Sequence, residues 1–581
     1  MVGRNRRPQA SGSRLQAGLT AARALARLKI LRWQYGGLAG ERLALLRALE
    51  GRRLARAADV RELHELLCVL YAYPDDRAVF EQTERMLRAF DTRPDLRRLR
   101  DDLVDTGIAG TVTFYRFEAP TARWLAARWG RFLTIDWDEV DEPRVARHLT
   151  LFALAAECPG LDEPPLELHG RAWLDRLRGN ETDAAFLIRR SADLRADEIG
   201  RNRTYDELGL MLRLAPGPDT PSRSRARFER SPFVPQAGPM REGRPDLVAD
   251  ASLPPRSMRF VSAREGQRLI DLAREAMVTR SRDLHAFEFA SPLDVRILEA
   301  GGGLQFACFG VRPEHRHLLE AVYAFLLLRN GVPIGYALAS ALFRSSEVAF
   351  NIFETYRRAE AAFVYGRLLG TLRLLFDSDT FSVPPYQLGH DNEEGIESGA
   401  WWFYYKLGFR PRDAETRRLV RRELARMRRR PSHRSSHATL RQLVRRFVFL
   451  DLEGERDDVM GAFPGDAVGL AATDFLNRRF GADRETAARQ CANEAAQLLL
   501  AGDWRKWPEG ERVAWTRLSP IVLMLPGVTR WSPGDRRALA ALVRAKGSRY
   551  ETRFVELANR HPRFHRALAQ LGRRAVRVGQ P

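Results

Sequence analysis

The chain has 581 residues, 45% hydrophobic and 29% charged, a composition that excludes a collagen-like, disulfide-scaffold or wholly disordered protein. Its length points to several domains rather than one. No apolar run is long enough to span a bilayer, since the run over 323–343 is broken by Arg329, Asn330 and Pro333. The basic N-terminus lacks a following apolar stretch, so no signal peptide is expected.

The formal charge of +21 is unevenly placed. Residues 1–60 and residues 412–446 each hold 13 basic and 3 acidic side chains, leaving a nearly neutral remainder. Both segments are candidates for nucleic acid or an anionic surface, since arginine grips phosphate bidentately. However, 91 arginines against 4 lysines pervade the whole chain, which reads more simply as a GC-rich codon bias. Cys68, Cys158, Cys308 and Cys491 are scattered without any C-x-x-C pair. They are expected to be buried thiols in a reducing cytoplasm.

In chain order, residues 1–14 form a polar tail, and 15–214 follow a helical pattern. Leu63, Leu66, Leu67 and Leu70 mark one amphipathic face. Further helices are expected over 123–132 and 144–157. Residues 216–255 hold 9 of the 31 prolines and are expected to be a solvated linker. A helix over 263–278 then leads into strands at 295–299, 304–311, 324–329, 334–343 and 348–353. Gly301-Gly302-Gly303 is read as a turn between strands, and Asn330-Gly331 is a strong hairpin signal. A helix over 359–375, a strand over 381–388 and a helix over 394–407 complete a central region. From 413 the pattern is helical again, with a basic helix over 416–430 and an apolar stripe at Leu440, Leu443, Val444 and Phe447. The expected class is α+β. The expected domains are 1–215 (helical, with a basic tail), 216–255 (linker), 256–412 (mixed sheet) and 413–581 (helical).

The succession of helix, strands, NG hairpin, strand, basic turn, helix, strand and helix closes on ESGAWWFYYKLGF. Over 257–412 it resembles the GNAT superfamily of acyl-CoA-dependent N-acyltransferases. Ala400, Phe403, Tyr404, Lys406, Gly408 and Phe409 match the spacing of that family's last core helix, with Glu397 where asparagine is usual. The resemblance implies an acetyl or other acyl-CoA cofactor, an amine acceptor, and Tyr404 as the acid that protonates the leaving thiolate. It also assigns the pyrophosphate loop to Tyr356, Arg357, Arg358, Ala359, Glu360, Ala361 and Ala362. This chain departs from the family there, because Glu360 stands at the central glycine and the stretch NIFETYRRAEAAF contains no glycine.

An attacking amine must lose its proton, and Glu354, at the end of the strand before that loop, is a candidate base, with His390 and Glu393 as rivals. His390, Asn392 and Glu393 in QLGHDNEEG would border the acceptor, although Asn392 also reads as a helix cap. Glu314-His315-Arg316-His317 has no third ligand near in sequence, so no metal is expected. There is no Walker loop and no G-x-S-x-G elbow. Two functions stay open: acyl transfer to an amine, or a GNAT-like scaffold without catalysis that binds nucleic acid or an anionic surface.

Overall fold

The computed structural model describes residues 20–158, 170–241, 245–357 and 360–578. The fold is α+β and divides into two compact units. The first comprises residues up to Met240 together with Arg268–Glu288 and Arg329–Pro333. The second takes Arg241–Gln267, Phe289–Leu328 and Ile334–Pro581.

In the first unit, helix Ala57–Ala72 buries Leu63, Leu66, Leu67 and Leu70, the face its spacing dictates. Three short strands, β1 (Thr113–Tyr115), β2 (Leu133–Ile135) and β3 (Leu212–Leu214), form an antiparallel sheet with β3 in the middle. Helices Ala119–Trp129 and Glu142–Phe152 both begin with a proline in the first turn and end earlier than the apolar pattern suggests. Their last apolar residues continue into single 3₁₀ turns. Phe117, Leu125, Leu149, Leu187 and Leu212 share one core. Residues 216–241 carry no helix or strand, yet Ser222, Ser224, Ala226, Phe228 and Met240 are buried. Ser224 Oγ accepts the Ala109 N–H at 3.0 Å and lies 2.8 Å from His64 Nε2. Ser224 thus finds its partners within the protein.

The second unit is organised by a nine-stranded sheet. Its strands are β4 (Ser257–Phe260), β5 (Ala290–Gly301), β6 (Leu304–Val311), β7 (Ala321–Arg329), β8 (Val332–Leu342), β9 (Ser345–Ile352), β10 (Thr380–Val383), β11 (Arg410–Pro411) and β12 (Val448–Asp451). They lie in the order β11-β12-β10-β9-β8-β7-β6-β5-β4. Gly301, Gly302 and Gly303 all have positive φ and turn β5 into β6. Asn330 (φ 50°) and Gly331 (φ 82°) make the two left-handed positions of a tight hairpin between β7 and β8.

Three elements differ from the sequence reading. The strand expected over 381–388 stops at Val383, because Pro384 and Pro385 offer no N–H to a ladder, and Pro385 instead opens a short helix, Pro385–Leu388. The helix expected over 394–407 is two helices, Glu393–Ser398 and Ala400–Lys406, separated by Gly399 in the left-handed conformation at φ 66°. The stripe beginning at Leu440 is helical only over His437–Leu443. The chain then extends as β12, pairing antiparallel with β10 and β11.

A buried ion cluster ties the loop after β6 to the last helices. Lys546 Nζ lies 2.6 Å from Glu551 Oε1 and donates to the Glu320 carbonyl at 2.7 Å. Arg316 donates through Nη1 to the carbonyls of Lys546 and Ser548 at 2.6 and 2.7 Å, and sits 3.6 Å from Glu551. Glu551 is fully buried and Lys546 nearly so. Replacing Lys546 by Met leaves Glu551 short of one of its two cations and is expected to destabilise the second unit by about 3–5 kcal/mol. Thermal and urea unfolding would check this, and a change within 1 kcal/mol would contradict it.

Candidate functional site

Strands β9 and β10 run parallel, joined by the helix Ala361–Phe376. They pair at only three positions, Ser345 with Thr380, Ser346 with Phe381 and Glu347 with Ser382. Beyond Glu347, β9 continues to Ile352 with its other edge paired to β8 throughout, from Leu342↔Ser345 to Gly335↔Ile352. The edge facing β10 opens there, because Pro384 and Pro385 turn the partner chain away. Two side chains stand in for the missing strand. Gln387 Nε2 donates to the Phe350 carbonyl at 2.7 Å, and Arg357 Nε to the Ile352 carbonyl at 3.4 Å.

Tyr404 lies beside this opening. Its ring meets Tyr365, Phe403 and Phe409 edge-on, and its hydroxyl faces Gln387. Burial pushes the phenol well above its ordinary value, so it stays protonated and able to donate a hydrogen bond.

At the far end of β9 the chain enters the loop that carries the departure from the family pattern. Glu354 is exposed, in the single 3₁₀ turn Glu354–Tyr356, and Tyr356 is buried. Arg357 is bridged to Glu394. Arg358 and Ala359 lie outside the described residues. Glu360 adopts φ 43°, the left-handed conformation that glycine takes at no steric cost. The backbone thus keeps the turn a glycine would make while carrying a carboxylate. Ala361 and Ala362 form the first turn of the following helix, whose leading N–H groups have no partner within the helix.

The chemistry of this end can be tested against an acyl-CoA. The open carbonyl edge of β9 suits an extended, amide-bearing arm, as a neighbouring strand would. The helix N-terminus, the exposed Arg357 and the Arg241 guanidinium, 4.0 Å from the Phe363 ring in the first turn, suit a pyrophosphate. Glu360 opposes it, although one of its oxygens already accepts the backbone N–H of Arg241 at 3.1 Å. The donor set fits the group, with two arginines taking the place of a glycine-rich loop.

The remaining expected residues have structural partners. His390 lies 3.0 Å from Asp391 on the surface. Asn392 caps helix Glu393–Ser398, accepting from Gly395 N–H at 3.3 Å and donating to the Tyr386 carbonyl at 3.1 Å. Glu393 takes Arg441 at 2.9 Å. The basic helix Ala414–Arg429 is present, with Arg421, Arg422, Arg428 and Arg429 exposed. Residues 1–19 of the other basic segment lie outside the described residues.

A group that sequence reasoning missed lies where the pairing of β9 with β10 ends. Glu347 lines a cavity of 810 Å³, together with His317 and Glu320 from the loop before β7. His317 Nδ1 lies 2.7 Å from Glu320, and this bond raises the imidazole above its ordinary value. Burial, reinforced by the Glu320 charge and opposed by His317, pushes the Glu347 carboxyl up to about 7. The available signal was that Glu347 is the one charged residue in SSEVAFNIF, an otherwise uncharged run. Among the described residues, no group of three His, Cys, Asp or Glu is placed to hold a metal ion. No helix there is long and apolar enough to cross a membrane. Comparison with protein families, curated proteins and solved structures finds no match to this chain.

Because the folded carboxyl holds its proton above the unfolded value, Glu347 lowers stability as pH rises from about 4.5 to 7, after which the penalty is constant. Glu347→Gln removes that term. The advantage of the variant over the natural chain is expected to be larger at pH 8 than at pH 5, by at most about 3 kcal/mol. Melting temperatures at the two pH values decide it, and equal differences would place Glu347 in water.

Proposed function

We propose that the chain is a GNAT-like N-acyltransferase that moves an acyl group from CoA to an amine. The observation carrying this reading is the parallel strand pair that opens directly after Glu347, with β9 leading on to the N-terminus of helix Ala361–Phe376. Ligands of open α/β sheets bind at such a divergence, outside the carboxyl ends of parallel strands. The succession of elements ending in Tyr404-Tyr405-Lys406-Leu407-Gly408-Phe409 supports the same family.

When bound, the thioester supplies an activated acyl group and a thiol leaving group. The β9 edge, Arg357, Arg241 and the first N–H groups of helix Ala361–Phe376 would hold and orient it. Glu347 takes the proton from the acceptor ammonium, a task suited to a carboxyl whose value lies near 7. Glu347 is a better base than the exposed Glu354, because it faces a cavity and is shielded from water. Tyr404, kept protonated by burial, presents its O–H beside Gln387 at the crevice.

One observation favours a second reading, a scaffold without catalysis. Glu360 brings a negative charge to the helix N-terminus, and Glu394 already occupies Arg357. The exposed arginines of helix Ala414–Arg429 would then be the working surface for nucleic acid or an anionic membrane.

Isothermal titration with acetyl-CoA at moderate salt separates the two, with ATP and desulfo-CoA as controls because an arginine-rich surface attracts any polyanion. Saturable binding specific to the thioester, tightened by Glu360→Gly, is expected. Turnover with an amine is expected to rise with pH through about 7 and to fall by about 10²–10⁴-fold in Glu347→Gln with acetyl-CoA binding intact. Binding no better than that of ATP would leave the scaffold reading.

A further inference from the structure

We propose that the 810 Å³ cavity is an amine site, and that its occupant is a primary amine carried on an apolar body, such as a long alkylamine or an arylalkylamine. As the acceptor of acyl transfer the occupant rests on the reading above; as a bound ligand it does not.

The wall decides the body of the ligand. Leu342 comes from the end of β8, Phe447 from the approach to β12, and Phe463 from the turn before helix Gly465–Phe480. Val468 and Leu476 project from that helix, and Ile521 from helix Glu509–Met524. Val468 is the one side chain that helix Gly465–Phe480 fully buries, so its inner face borders the cavity rather than a packed core. The volume lies within the roughly 300–1,000 Å³ of a site for a drug-sized molecule.

The polar lining decides the head group. Glu347 and Glu320 face the space with His317 as the cation beside them in the lining. Lys546 lies behind Glu320 but is paired with Glu551, while Asp466 and Arg517 are exposed and oppose one another in sign. Two carboxylates against one imidazole favour a cationic head at the β9 end. A polyamine or an aminoglycoside would set further ammonium or hydroxyl groups against Leu, Phe and Val, where they find no partner. An apolar chain meets no such penalty and gains by leaving water.

The test titrates the full-length protein with hexylamine, octylamine and decylamine at pH 8 without any CoA, with decanoate and decan-1-ol as controls. One-to-one saturable binding is expected, tightening about fourfold per added methylene. Decanoate is expected to bind at least tenfold more weakly than decylamine. Ala472→Trp, which places an indole in the cavity from a partly exposed helix position, is expected to abolish decylamine binding. Should that variant not fold, Glu347→Gln supplies the second measurement: it is expected to weaken decylamine while leaving decan-1-ol unchanged.

Affinity independent of chain length, or decanoate binding as well as decylamine, would overturn the proposal. So would decylamine binding unmoved by Glu347→Gln. Its failure is distinguishable from that of the acyl-transfer reading. Decylamine bound but never acylated overturns acyl transfer and leaves the amine site standing. Acylation of a polar amine such as spermidine, with no decylamine binding, overturns the amine site alone.

Discussion

Lys546, Glu551 and Arg316 form a buried charge cluster on which the geometry of the cavity depends. A cation in the interior is tolerable only with its partners in place, so the cluster holds as a unit or not at all. Arg316 and Lys546 bind the loop between β6 and β7 through its own backbone and through the carbonyl of Glu320. That loop presents His317 one residue after Arg316, and Glu320 three residues later. Their carboxylate–imidazole pair, which lines the cavity, inherits its position from a cluster none of whose three side chains lines it. The expense of burying three charges is otherwise hard to reconcile with stability alone, since apolar residues of similar volume would pack there as well.

A second constraint comes from two prolines. A sheet in which β9 and β10 paired to their ends would have no opening at all. Pro384 and Pro385 remove two successive donors and send the chain into a short helix, leaving the β9 carbonyls at Phe350 and Ile352 to side chains. Gln387 and Arg357 make these bonds, and a side-chain bond can be exchanged for one to a ligand far more readily than a strand can be displaced. The opening is therefore a product of local backbone chemistry, while the charge at its head comes from distant tertiary packing.

That difference explains what could be read from the chain before it was folded. The hairpin at Asn330-Gly331, the triple-glycine turn and helix Ala263–Val278 were legible because each is fixed by residues next to one another. The break at Gly399 was hidden, since a lone glycine in a helical pattern more often weakens a helix than ends it. Strand β12 was hidden because the stripe at Leu440, Leu443, Val444 and Phe447 suggests a helical period that the chain abandons after Leu443. The parts of the site that belong to one helix or loop, Tyr404 and Glu360, were legible by position. Glu347 was not, because its character comes first from burial and then from the charges of Glu320 and His317, which lie far from it in sequence. A single glutamate in a strand reads as solvated until its neighbours are known.

Glu360 shows how the two ends of β9 differ in what they tolerate. Its left-handed backbone is about 1–2 kcal/mol less favourable than the same turn made with glycine. The loop keeps the turn all the same, and the carboxylate takes up the backbone N–H of Arg241, so the segment carrying Arg241 is fastened to the start of helix Ala361–Phe376. The side chain that would oppose an anion there thereby also brings a guanidinium to the start of the helix, over Phe363. A glycine would restore the bare N–H cradle and release that arginine. On the acyl-transfer reading proposed above, an anion would meet helix N–H groups together with arginines instead of a backbone-only cradle. Such a site suits a phosphate-bearing ligand held by its charge and placed by the strand edge beside it.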